Sequence, residues 1–126
     1  MNDIYREDLM EHYKNPQNRG KLESPDVEVV KKNPMCGDII TMQANIRHGK
    51  LEDIMFDGEA CAVCVASASI LTDENKHKPL NDIKKYSKED LLQNLGVNLT
   101  TSRIKCATLP LEALQNLVNN YEQAKS

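Results

Sequence analysis

Four cysteines, Cys36, Cys61, Cys64 and Cys106, are the side chains of this 126-residue chain best suited to chemistry. A zinc or iron–sulfur site needs deprotonated sulfur ligands, usually four donors in a tetrahedral set. Cys36, Cys61 and Cys106 supply three. Asp38, two residues beyond Cys36 in Asn33-Pro34-Met35-Cys36-Gly37-Asp38, is the available fourth. A carboxylate is a weaker, more exchangeable ligand than a thiolate on soft iron. A set of three cysteines and one aspartate therefore suits a metal group meant to leave. The plain alternative stands beside it: the cysteines are small buried hydrophobes and Asp38 is a turn residue.

Cys61-Ala62-Val63-Cys64 has the C-x-x-C spacing of redox dithiols and zinc knuckles. A thioredoxin-like motif belongs to a βαβ pattern, and a zinc knuckle needs a second such pair or paired histidines. Neither is present. With a helix starting near Cys61, Cys64 lies one turn on and on the same side. It is then an alternate ligand, a resolving thiol or simply a core residue. His12, His48 and His77 are scattered. His48 and His77 fall in polar loops and should face solvent. No Ser/His/Asp or Cys/His pair follows from spacing, and there is no glycine-rich phosphate loop.

The elements that must position these thiols can be read from periodicity. Asn2 or Asp3 can cap a first helix with Ile4, Tyr5, Leu9 and Tyr13 on one side, and Asn15-Pro16 stops it. Val27, Val29 and Val30 suggest a short strand broken at Asn33-Pro34. Residues Asp38 to Arg47 alternate, with Ile40, Met42, Ala44 and Ile46 on one face. His48-Gly49-Lys50 makes a hairpin turn into a third strand from Leu51 to Phe56 or Asp57. The expected product is a three-stranded antiparallel meander with one buried face.

Beyond Gly58 the pattern turns helical. Cys61 to Leu71 is small and apolar all round, which predicts a deeply buried helix. Asp73 to Pro79 reads as a polar exit loop. Ser87 and Asp90 resemble a capping box opening a helix with Leu91, Leu92 and Leu95, stopped by Gly96. Pro110 belongs in a first turn, so the last helix is expected to start there and to carry Leu111, Leu114, Leu117, Val118 and Tyr121. This places Cys36 in a loop, Cys61 at a strand-to-helix junction and Cys106 just before the last helix. The fold class expected is α+β: a single compact domain over residues 1–126, its antiparallel sheet carrying helices on one face.

Composition narrows the function. Sixteen basic residues against nineteen acidic ones give a net charge of −3, with no basic excess for a phosphate backbone. No nucleic-acid partner is expected. The start of the chain is charged and amphipathic rather than a signal peptide, and no apolar stretch is long enough to span a membrane. A cytoplasmic protein is expected, and there clustered thiols bind metal or do redox chemistry more often than they form structural disulfides.

Taken together, these residues resemble the iron–sulfur cluster scaffold proteins of the IscU/SufU/NifU N-terminal type. Tyr5 to Gly20 resembles the family's opening helix and turn. Asn33-Pro34-Met35-Cys36-Gly37-Asp38 matches its first ligand loop. Phe56-Asp57-Gly58-Glu59-Ala60-Cys61 with Ala66-Ser67-Ala68-Ser69 resembles its second, and Arg103-Ile104-Lys105-Cys106-Ala107-Thr108-Leu109 its third. The resemblance implies a scaffold, rather than an enzyme in the strict sense. It would accept persulfide sulfur from a cysteine desulfurase, build a 2Fe–2S-type cluster and transfer it to apo iron–sulfur proteins. Cys36, Asp38, Cys61 and Cys106 match the family's metal positions. The SufU type implies the alternative, a zinc-dependent sulfurtransferase.

Several positions depart from the pattern. Ala60 replaces the usual glycine, and Cys64 is an extra thiol. Lys105 before the third cysteine is SufU-like, whereas the short stretch from Cys61 to Cys106 is IscU-like. IscU types implicate the third cysteine, Cys106, as sulfur acceptor; SufU types implicate the first, Cys36. The Leu-Pro-Pro-Val-Lys segment that engages an Hsp70 chaperone is absent, with Asn98 to Ser102 reading Asn-Leu-Thr-Thr-Ser, so that partner is not expected. Arg103 offers a cation to steer a persulfide or a desulfurase carboxylate, or a surface salt bridge.

Overall fold

Alternation between Asp38 and Arg47 produces the central strand of the sheet. In the computed structural model, which describes residues 3–34, 37–95, 99 and 101–125, this strand is β2 (Asp38–Arg47), flanked by β1 (Val27–Asn33) and β3 (Lys50–Asp57). The order is β1-β2-β3, antiparallel throughout. Val29 stands opposite Met42, Met42 opposite Phe56 and Ala44 opposite Ile54, so one face is continuously apolar. Ile40, Met42, Ala44, Ile46, Leu51, Ile54 and Phe56 are all buried on it. The hairpin turn is two residues long. His48 and Gly49 both have positive φ, 55° and 73°, as the twist of paired strands requires of a tight hairpin.

Helices cover that face. They are α1 (Asp3–Lys14), α2 (Ala62–Asn75), α3 (Leu80–Lys85), α4 (Lys88–Leu95) and α5 (Thr101–Lys125). α5 lies against β1 and β2, and α2 packs between α5, α1 and β3. Every residue from Cys64 to Thr72 is buried, as a helix that is apolar all round requires. The small side chains of Ala66, Ser67, Ala68 and Ser69 let neighbouring backbones come close. The hydroxyls of Ser69 and Thr72 hold α1 and the segment after it. Gln17 donates its amide to Ser69 Oγ at 2.7 Å, His12 Nδ1 lies 2.7 Å from the same oxygen, and Asn18 Nδ2 donates to Thr72 Oγ1 at 3.1 Å. His12 is thus part of the α1–α2 junction, while His48 and His77 are exposed.

Three helix boundaries differ from expectation. α2 continues to Asn75, into the stretch read as an exit loop, because Asn75 is buried and donates Nδ2 to the Leu71 carbonyl. The short α3 follows the loop, its Leu80 and Ile83 buried. α5 begins at Thr101 and runs straight through Pro110. Proline removes one amide, but burial of Ala107, Leu109, Leu111, Ala113, Leu114, Leu117 and Val118 outweighs that loss. The capping box stands as read: Asp90 donates its amide to Ser87 Oγ and Ser87 donates its own to Asp90 Oδ2. The cap at Asn2 and the stop at Gly96 lie outside the described residues. No helix among the described residues is long and apolar enough to cross a membrane.

Candidate metal centre

β2 begins at Asp38, paired across the ladder with Asn33. The turn between them needs Gly37 at φ 79°, whose amide donates to the Asn33 carbonyl at 2.8 Å. Asp38 is therefore fixed by sheet register, and its side chain is 5% exposed. Its Oδ1 accepts the backbone amide of Cys61 at 2.9 Å. Its Oδ2 is buried and has no hydrogen-bond partner among the described residues.

Cys61 reaches the same place from β3. Gly58 carries the chain past β2 so closely that a Cβ there would stand 2.0 Å from the Ile39 carbonyl oxygen. Its φ of 143° also suits glycine. Ile39 then donates its amide to the Glu59 carbonyl at 2.9 Å, which extends the ladder one step beyond β3. Arg19 braces the outside, its guanidinium donating to Asp57 Oδ1 and to the Gly58 carbonyl. Cys61 is the N-cap residue of α2, extended at φ −69° and ψ 166°, and half-buried.

Cys106 arrives from the opposite side, within α5 rather than before it, and is 3% exposed. The expectation of a loop cysteine is corrected here: the buried apolar face of α5 carries the helix two turns further back than Pro110 suggested. Pro110 deprives the Cys106 carbonyl of its intrahelical donor. The next carbonyl, that of Ala107, accepts the hydroxyl of buried Ser67 on α2. The two helices that bear Cys61 and Cys106 are thus tied together one residue from the thiol.

The ligand atoms of Asp38, Cys61 and Cys106 all lie within 4.8 Å of one another. A strand start, a helix cap and a helix interior converge on one point. Cys36, with Met35, lies outside the described residues, so three of the four candidate ligands named from the sequence are brought together here. Cys64 is fully buried among core residues and is not a member of this group. Cys61, Cys64 and Cys106 are thiols rather than disulfides. Arg103 is exposed on α5, and among the described residues it makes no ion pair. Beside the cluster runs a groove of about 540 Å³ lined by Lys32, Asn33, Pro34, Lys88, Lys105 and Thr108, among others.

A buried carboxylate oxygen without a donor is costly unless a cation or proton meets it. Two thiols at the same point supply soft donors. The donor set thus fits a thiophilic metal such as zinc or iron. The sequence names Asp38, Cys61 and Cys106 as candidates from residue type and from their place at junctions between elements. It missed the supports, namely Gly58 against Ile39, Arg19 on the β3–α2 loop, and Ser67. Of these only Gly58 carries a signal, as a glycine immediately after an apolar strand.

Comparison with known proteins is consistent with this geometry. The family model described as NifU-like N terminal domain matches residues 4–126. The chain is 35% identical to the zinc-dependent sulfurtransferase SufU of Bacillus subtilis, over 94% of this chain and 92% of that one. It is 30% identical to iron-sulfur cluster assembly scaffold protein IscU 1 of Archaeoglobus fulgidus, over 94% of this chain and 76% of that one. The fold is shared with a nitrogen-fixing NifU-like protein (N-terminal) from Brucella abortus, with a TM-score of 0.78 at 18% identity over 96% of each chain. The chain therefore belongs to the NifU-like N-terminal family, the family of its relatives named IscU and SufU.

Proposed function

We propose that this protein assembles an iron–sulfur cluster of the 2Fe–2S type on Cys36, Asp38, Cys61 and Cys106 and passes it to apo-proteins. The observation that carries the reading is the buried Asp38 Oδ2, without a donor among the described residues, beside the thiols of Cys61 and Cys106. Sulfur arrives as the persulfide of a cysteine desulfurase, and a scaffold thiolate takes it by attack on the outer sulfur. Cys106 or Cys36 is that acceptor, and exposed Arg103 and Lys105 offer cations to the approaching partner. The cluster is cargo. Asp38 is the ligand that an incoming apo-protein displaces, because a carboxylate exchanges on iron faster than a thiolate. The work is done in the cytoplasm.

Anaerobic reconstitution with iron, cysteine and a cysteine desulfurase tests this. Cluster absorbance should develop at one site per chain. Its absence in wild type and in Asp38→Ala alike overturns the reading.

A second reading has a specific observation behind it, the 35% identity to a zinc-dependent sulfurtransferase. Here Cys36, Asp38, Cys61 and Cys106 hold zinc, which when bound supplies a Lewis acid that keeps the thiols deprotonated. The chain's own part is to release one thiolate to accept sulfur. Stoichiometric zinc after purification, with desulfurase turnover raised by the protein, selects this reading over the first.

A further inference from the structure

The function proposed above leaves Cys64 unused, although it is a nucleophile buried one turn from the metal cluster. Cys61 is the N-cap of α2, and its carbonyl accepts the Val65 amide at 3.0 Å, so the helix is already formed there. Cys64 is the third residue of α2. Helix rise and radius put two such Cα atoms about 5 Å apart, inside the window of about 4.4–6.8 Å over which disulfides close. The two thiols differ in exposure: Cys61 is half-open to the site, whereas Cys64 has none of its surface exposed. A thiol buried in this way is closed to reagents in solution, and Cys61 stands one helical turn before it.

We propose that Cys61 and Cys64 form an internal two-electron reductant that converts sulfane sulfur to sulfide on the scaffold itself. The inference rests on the reading that persulfide sulfur is delivered to this site. Sulfur reaches Cys61 from a donor persulfide or from Cys106, whose ligand atom lies within 4.8 Å of that of Cys61. The sulfur of Cys64 then attacks Cys61 Sγ, the inner sulfur of the persulfide. The Cys61–Cys64 S–S bond forms and the bond from Cys61 Sγ to the outer sulfur breaks. The outer sulfur leaves with the bonding pair and takes the Cys64 thiol proton, departing as hydrosulfide. It is reduced by two electrons, and each cysteine sulfur is oxidised by one. The first turn of α2 carries no side-chain cap and no acidic residue of its own, so its amides favour the anionic sulfur that leaves, working against the Asp38 carboxylate beside Cys61. An external dithiol resets the pair by exchange. A cluster needs sulfide, whereas a desulfurase supplies sulfane sulfur, and this pair closes that gap without a separate electron donor at the moment of transfer.

The test uses the full chain, loaded with sodium polysulfide and desalted anaerobically, with no reductant present. Released sulfide is measured chemically and disulfides are mapped by peptide mass spectrometry. Wild type should release about one sulfide per chain and show Cys61 linked to Cys64, while Cys64→Ala and Cys64→Ser should release about tenfold less and keep their persulfide. Should a variant fold poorly, the wild-type map alone decides. A persulfide that persists, or a disulfide that joins other cysteines, overturns the inference. Cluster assembly that succeeds with added dithiol while sulfide release ignores Cys64 overturns this inference alone. A chain that takes up neither sulfane sulfur nor cluster overturns it together with the proposed function.

Discussion

Asp38 and Cys61 are bound to each other before any metal arrives. One carboxylate oxygen of Asp38 accepts the Cys61 amide at 2.9 Å, 23 residues away in sequence, and the other is buried without a partner among the described residues. One half of the side chain holds the start of α2, and the other half is placed where a cation could meet it.

The two halves separate in substitutions. Asp38→Ala removes both the proposed labile ligand and the amide acceptor, whereas Asp38→Asn keeps the acceptor and removes the carboxylate. Without the exchangeable carboxylate the acceptor has to begin by displacing a thiolate, so loss of the reconstituted cluster to an apo-ferredoxin should slow about tenfold in Asp38→Ala, equivalent to about 1.4 kcal/mol on the barrier. Without metal, Asp38→Asn should unfold within about 1 kcal/mol of wild type, since Asn keeps the acceptor for the Cys61 amide and the lost Oδ2 has no donor among the described residues. Absorbance decay and urea unfolding read the two effects.

Gly58 sets how closely the Cys61 loop approaches β2. A methyl group there would lie 2.0 Å from the Ile39 carbonyl oxygen, and that contact is with rigid backbone. Gly58→Ala should cost about 2–4 kcal/mol of stability, combining steric displacement with an unfavourable φ. Ile39 follows Asp38 directly, so the displacement also spreads Asp38 from Cys61. Metal affinity should fall beyond what partial unfolding explains. Urea melts with and without zinc check this. An Ala variant that melts like wild type contradicts it.

How far the sequence reaches is visible in the three candidate ligands that the structure describes. Asp38 and Cys61 were placed correctly because strand alternation and a strand-to-helix change are local signals. The local preference of Pro110 for a first turn puts Cys106 in a loop, whereas the helix is held by tertiary burial of Ala107, Leu109 and Leu111. The convergence itself was inferred from residue type. Distances between a strand start and two helices depend on packing among side chains far apart in sequence, such as Ser67 with Ala107. Short helix α3 was missed because six residues give periodicity too little length to register.

Tyr86 offers a pH prediction remote from the metal. Its hydroxyl donates to Glu74 Oε2 at 2.7 Å, and Asn94 Nδ2 donates to both groups. Burial, then the Glu74 hydrogen bond, raises the phenol well above its ordinary value. A raised pKa in the fold means the unfolded chain loses this proton first. The contribution is full below about pH 10, the unfolded value, and declines as pH rises beyond it. Tyr86→Phe should lower stability at pH 7 by about 1 kcal/mol and flatten the alkaline decline. Denaturation midpoints at pH 7 and pH 11 measure both.

Ser67 is the remaining support whose removal should reach the site. Its hydroxyl donates to the Ala107 carbonyl, next to Cys106, in the turn where Pro110 withholds an amide. Ser67 is fully buried, so water cannot replace the donor in Ser67→Ala without opening the packing between α2 and α5. The substitution should cost about 1–2 kcal/mol, the penalty of a buried acceptor losing its partner. The consequence for Cys106 is separate from that global cost. With its helix no longer tied to α2, the 3% exposed thiol should react faster with an aromatic disulfide reagent under native conditions. Cys61, on the other side of the cluster, should react at its wild-type rate. Mass spectrometry of the labelled peptides distinguishes the two thiols. Equal acceleration at Cys61 and Cys106 would point to global opening and sink the assignment of Ser67 as the tie between the helices.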